Sequence, residues 1–210
     1  MLVFELFRQD PRLAMFFVFL CVMALTVHEF AHAYAAQVCG DDTARLMGRM
    51  TLNPAAHLDP LGTILILLIG FGWAKPVPVN PLNFRRLRKD DVLVSAAGPA
   101  SNLILAVILA VIVRIMIKAV PGGPALDTAY FLAGYGVTLN VALAIFNLLP
   151  LFPLDGAHIA ENLLPAPIST FFVNFRPYAR YVFIVFLVSR IGGALISVPA
   201  AAISTLLCGF

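Results

Sequence analysis

From Leu13 to about Val38 the chain is apolar at nearly every position, and that run ends in Thr26-Val27-His28-Glu29-Phe30-Ala31-His32-Ala33-Tyr34. A run of this length reads as a membrane-spanning helix, because about twenty apolar residues cross a hydrocarbon core. Ionisable groups inside such a helix are costly, so this cluster must face protein or water and serve a chemical purpose. His28 and His32 stand at i and i+4, on one helix face and about 6 Å apart along the axis. Two imidazoles so placed suit one tetrahedral Zn²⁺ per chain, and Glu29 between them can act as general base on an activated water. Asp10-Pro11 is the expected helix start and Gly40 the expected stop. The stretch from His28 to Gly40 then puts the metal roughly 12 to 18 Å inside the C-terminal end of the helix, below the membrane surface.

Composition extends this reading to the whole molecule. Of the 210 residues 61% are hydrophobic and only 12% charged, with a mean hydropathy of +0.94, whereas a soluble domain is nearer half apolar and a quarter charged. The expectation is an all-α polytopic membrane protein, one integral domain over residues 1–210 with its partner surface in the lipid bilayer. The net charge of +3 points to no nucleic-acid partner; basic residues beside spans report orientation instead. Val92 to about Ala119 and Ala129 to about Leu149 read as two further spans. Leu61 to Gly72 is too short to cross and suits a re-entrant segment. Arg45 to Leu52 alternates unevenly, as a short strand or hairpin does, and Trp73 to Pro81 is too proline-rich for a helix. Together these make a re-entrant, β-like loop region between the first two spans. Tyr178 to Phe210, interrupted by Arg190 and Gly192-Gly193, supplies one or two extra C-terminal helices beyond a core of about 13–160. Cys21, Cys39 and Cys208 have no ligand-like spacing and count as small hydrophobes. No cleavable signal peptide is expected, since the first apolar run carries the motif.

A catalytic zinc usually takes three protein ligands and keeps one open position. The candidates for the third are Asp155, His158, His57, Asp59 and Glu161. Asp155 lies on the break after the third span, in a Pro-Leu-Asp-Gly turn where glycine permits an unusual backbone and frees the carboxylate to turn inward. His57 and His158 lie in segments that can approach the site, His57 with an outer-shell or gating role. Asn140 and Asn147, seven residues apart, share nearly one face of the third span.

Three blocks occur in order: His28-Glu29-Phe30-Ala31-His32, then Ala97-Gly98-Pro99-Ala100-Ser101-Asn102, then Asn147-Leu148-Leu149-Pro150-Leu151-Phe152-Pro153-Leu154-Asp155-Gly156. Together they resemble the site-2 protease family of intramembrane zinc metalloproteases, over roughly residues 13 to 160. The stretches His57-Leu58-Asp59-Pro60 and Gly72 to Pro81 resemble its short bacterial members. The resemblance implies zinc held by His28, His32 and Asp155, Glu29 as catalytic base, and a transmembrane protein or peptide as substrate. It also implies three core helices around the zinc, with Asn147, and more weakly Asn102, holding substrate or the oxyanion. A homo-oligomer is compatible with it. The strand-like Arg45–Leu52 or Val77–Pro81 stretch is a candidate to pair with an unwound substrate. The rival readings are a prenyl-protein endopeptidase-like enzyme, a metal or proton transporter, and a non-cleaving helix binder. The first wants a late glutamate on a span, and the second internal repeats.

Orientation follows from parity. If His28, His32 and Asp155 meet, the first and third spans run the same way and Leu61–Gly72 cannot cross. Arg45, Arg49, Lys75, Arg85, Arg86, Arg88 and Lys89 then share one side, cytoplasmic by the positive-inside rule, in a bacterial inner membrane.

Overall fold

The structure is a computed structural model that describes residues 7–69, 72–119 and 123–209. Three helices are long and apolar enough to cross a membrane: α1 (Pro11–Cys39), a second within Leu87–Ala119, and a third over Tyr130–Leu148. Local chemistry sets the bounds of α1. Asp10 accepts hydrogen bonds from the Arg12 and Leu13 amides at 3.0 and 3.1 Å, with Pro11 in the first turn. Gly40 closes the helix at φ +110°, a left-handed conformation that favours glycine.

After α1 comes one short helical turn, α2 (Thr43–Leu46), where a strand or hairpin is expected from Arg45 to Leu52. No strand occurs among the described residues, and the only ladder element there is one antiparallel bridge, Leu58 to Ala74. The alternation is outweighed by Asp41, whose buried carboxylate accepts from the Thr43 amide and hydroxyl and so winds the chain helically. Asp41 also accepts from the Asn80 amide and the Asn83 side chain, both at 2.7 Å. One carboxylate thus ties the end of α1 to the far end of the loop.

The short apolar segment forms α3 (Pro60–Ile69), about 15 Å long and so about half the thickness of a hydrocarbon core. It enters and returns at one place: a Cβ on Gly62 would strike the Trp73 backbone, and one on Gly72 would strike the Gly62 carbonyl. The two ends of the segment thus lie side by side, with glycines where the two backbones touch.

Helix α4 (Leu87–Ala119) begins five residues before the expected span, its start capped by Asp90 accepting the Arg86 amide at 2.7 Å. Helix α5 (Pro124–Asn147) follows. Pairings fix the directions. His28 meets Asn102 while His32 meets Val94, so α4 runs antiparallel to α1. Asn102 meets Asn140 while Tyr130 meets Met116, so α5 runs antiparallel to α4 and parallel to α1. Small residues make the approach close: Ala24, Ala33, Ala36 and Ala144 are fully buried, and Ala106, Ala110, Val137 and Val141 form one cluster with Ala200 and Cys208.

Beyond the break, α6 (Asp155–Leu163) packs on α4. The tail begins earlier than expected, as α7 (Ala166–Val188) and α8 (Arg190–Cys208). These two meet at 66°, far short of the reversal that two full crossings need. Arg114 of α4 donates to the carbonyls of Leu206 and Leu207 at 2.8 and 2.6 Å, satisfying the C-terminal end of α8.

Candidate metal centre

The site is assembled from three helices, each contributing through a different local device. Helix α1 presents His28 and His32 on one face, with ring centroids 4.6 Å apart. Their Nε2 atoms are 3.0 Å apart, and each lies 3.3 Å from Asp155 Oδ2. His28 and His32 are buried, and the Asp155 side chain is only 20% exposed. Asp155 opens α6, where the first-turn amides favour a carboxylate. Gly156 serves this placement by space, not by an unusual φ: a Cβ there would fall 2.5 Å from the Leu149 carbonyl and still closer to that of Leu148.

Proton placement follows from the partners. His32 Nδ1 lies 2.8 Å from the Val94 carbonyl and His28 Nδ1 2.7 Å from Asn102 Oδ1. Both partners only accept, so each neutral ring carries its proton on Nδ1 and turns an Nε2 lone pair inward. Asp155 Oδ2, buried, has no hydrogen-bond donor. Three lone-pair donors therefore face one another with no proton between them, an arrangement that repels itself until a cation enters. Tetrahedral zinc with ligand bonds of about 2.0–2.1 Å spaces its donor atoms about 3.3–3.4 Å apart, close to the separations found. The residues fit the ion. Gly98 of α4 fits it too, since a Cβ there would lie 2.5 and 2.6 Å from His28 Cε1 and Nε2 and closer still to His32 Nε2.

Glu29 faces a different neighbour. Its Oε2 accepts the Val77 amide at 2.8 Å, which brings the extended Trp73–Asn80 segment against the site. That segment is stapled at intervals: the Lys75 amide donates to the His57 carbonyl, and Arg49 donates to the carbonyls of Lys75 and Pro76.

Of the five third-ligand candidates the structure brings only Asp155 to the histidines. His57 is buried, with Nε2 2.8 Å from the Thr51 carbonyl. Asp59 accepts the Gly62 amide, His158 lies 3.8 Å from Asp91, and Glu161 pairs with Arg176. Among the described residues His28, His32 and Asp155 form the one group of three that could hold a metal. Asn147 donates along its own helix to the Leu143 carbonyl at 2.9 Å. Asn102 is fully buried, with its Oδ1 2.7 Å from His28 Nδ1. The carbonyl of Val94 and the amide of Val77 carry no sequence signal, because both are backbone groups, whereas Asn102 is marked by its motif and only its contact with His28 is not.

A family model described as Peptidase family M50 matches residues 15–122 and 115–189. The YwhC protein of Bacillus subtilis (strain 168) is 47% identical over 178 residues, 81% of this chain and 79% of that protein. Rip2 of Mycolicibacterium smegmatis is 33% identical over 144 residues, 64% of this chain and 52% of its own length. Both are named, provisionally, as zinc metalloproteases. MJ0392 of Methanocaldococcus jannaschii, named a zinc metalloprotease, is 24% identical over 72% of this chain and 34% of its own. The chain thus spans most of YwhC but about half of Rip2. No solved structure matches it.

Proposed function

The chain belongs to peptidase family M50, and on that premise we propose that it is an intramembrane zinc metalloprotease. It hydrolyses a peptide bond within or beside a transmembrane helix of a substrate protein. One observation carries the reading: two imidazole nitrogens and a carboxylate oxygen converge within 3.0–3.3 Å among helices apolar enough to span a bilayer, beside a buried Glu29.

In this reading His28, His32 and Asp155 hold the ion. Zinc, when bound, supplies a Lewis acid that polarises the scissile carbonyl and lowers the pKa of water towards 7. Glu29 takes a proton from the attacking water and passes it to the leaving amine. The Val77 amide holds Glu29 Oε2, so the other carboxylate oxygen is the one that carries the proton. Burial of the cluster excludes bulk water and strengthens each charge–dipole contact there. The substrate helix must unwind first, because its own hydrogen bonds shield the peptide bond. The extended Val77–Pro81 stretch, one residue of which already touches Glu29, is where an unwound substrate would pair by strand addition. The shared side of Arg45, Arg49, Lys75, Arg85, Arg86, Arg88 and Lys89 faces the cytoplasm.

The test uses native and Glu29→Gln protein with a transmembrane-helix substrate in detergent or liposomes. Zinc content and cleavage are measured on the same preparations. Glu29→Gln keeps its zinc, because the three ligands are untouched, and loses cleavage by roughly 10² to 10⁴. Equal cleavage by the two proteins would sink the mechanism. Histidine-dependent metal flux across proteoliposomes with no cleavage would favour a transporter.

A further inference from the structure

Asn140, on α5, is one of the most buried polar residues of the protein, and nothing in the reaction described above uses it. Its Oδ1 accepts from Asn102 Nδ2 at 3.0 Å, and its own Nδ2 donates to the Gly136 carbonyl at 2.9 Å. Asn102 Nδ2 also donates to the Ala24 carbonyl at 3.2 Å, and Asn102 Oδ1 faces His28 Nδ1 at 2.7 Å. A relay therefore runs from α5 through α4 to α1 and ends on an imidazole. The Gly136 carbonyl fixes which end of the Asn140 amide is its acceptor. That acceptor fixes Asn102, since a flipped Asn102 would set its oxygen against two other acceptors. The oriented Asn102 then keeps the His28 proton on Nδ1 and leaves Nε2 bare. With Asn102 reversed, its NH₂ would donate to Nδ1 and drive the proton onto Nε2, where no cation can be ligated.

We propose that Asn140 is a positioning residue for the metal centre, acting through Asn102 to hold His28 in its ligating tautomer. The inference rests on the zinc reading of the site. It links a second helix to the centre: Asp155 comes from α6, beyond the break that ends α5, and Asn140 of α5 itself reaches His28 through Asn102. A buried relay of this kind is rigid because each member has its partners. Loss of one member leaves the next free to turn.

The experiment measures zinc affinity by chelator competition, and thermal unfolding of the metal-free form, on full-length protein in detergent. The set is native protein, Asn140→Leu, Asn140→Ala, Asn140→Asp, and Asn102→Ala with and without Asn140→Leu. Asn140→Leu and Asn140→Ala are expected to weaken zinc binding about 10- to 100-fold, as loss of an outer-shell partner does, with unfolding of the metal-free form unchanged. Asn140→Asp, which keeps an acceptor towards Asn102, should stay within about threefold of native affinity. In the Asn102→Ala background Asn140→Leu should add nothing. Native affinity in Asn140→Leu or Asn140→Ala overturns the inference while leaving the zinc reading intact, as do losses that simply add in the double variant. Variants whose metal-free form unfolds early assign Asn140 a purely structural role and overturn it as well. A native protein that binds no zinc would instead overturn the reading on which it rests.

Discussion

Adding one methyl group at Gly98 should close the metal site without touching a ligand. The Cβ of Gly98→Ala would lie 2.5 Å from His28 Cε1 and 2.6 Å from its Nε2, where carbon contacts normally begin near 3.5 Å. Relief requires α4 to retreat from α1 by about 1 Å, or both imidazoles to leave their rotamers by an equivalent movement. Metal sites tolerate donor displacements of only about 0.2 Å, so either relief spoils the triangle of donors. Overpacking of this size costs about 1–3 kcal/mol. In the metal-free protein the imidazoles can swing aside, and alanine gains about 1 kcal/mol over glycine in a helix interior. The cost therefore falls on the metal-bound form, and about 1–3 kcal/mol is about 5- to 150-fold in zinc affinity. Chelator competition on purified Gly98→Ala protein, with thermal unfolding of the metal-free form as control, reads both terms. Native zinc affinity in Gly98→Ala would show that the helices do not hold the spacing argued here.

Two further outcomes follow from where other residues sit. His57→Ala and His158→Ala should each retain zinc at native stoichiometry, since both side chains lie away from the three converging donor atoms; loss in either comparable to that of His28→Ala would mean the third ligand is misassigned. Cysteines introduced at the exposed Arg45 and Arg86 should both resist an impermeant thiol reagent in intact cells, against a quiet background because Cys21, Cys39 and Cys208 are buried; labelling of only one would break the common side on which the topology rests.

The membrane character, the three spans and the paired histidines were legible in the linear chain because each is a local property. Hydropathy is summed along one helix, and i, i+4 spacing is geometry internal to it. The shortness of α3 was legible for the same reason, since a helix of ten residues is too short to cross a hydrocarbon core. The strand expected at Arg45–Leu52 failed because a carboxylate just upstream, Asp41, captured the Thr43 amide and wound the chain into a turn. Alternation is a weak signal when no partner strand exists to reward it.

What only the tertiary structure decided concerns groups that meet across helices. Asp155 was one of five candidates until α6 brought it within 3.3 Å of both imidazoles. Asn102 reads in sequence as a polar residue in a small-residue motif; the helix crossing sets its side-chain oxygen 2.7 Å from His28 Nδ1. The Val94 carbonyl and the Val77 amide are the least legible of all, because every residue but proline has the same backbone groups and only packing chooses which of them face His32 and Glu29. The sequence by itself thus determined that a buried His-Glu-His cluster would stand inside a membrane helix. The crossing of helices decided which carboxylate stands beside it and which amides and carbonyls contact it, because those contacts are made between segments whose separation in sequence carries no record of their distance in space.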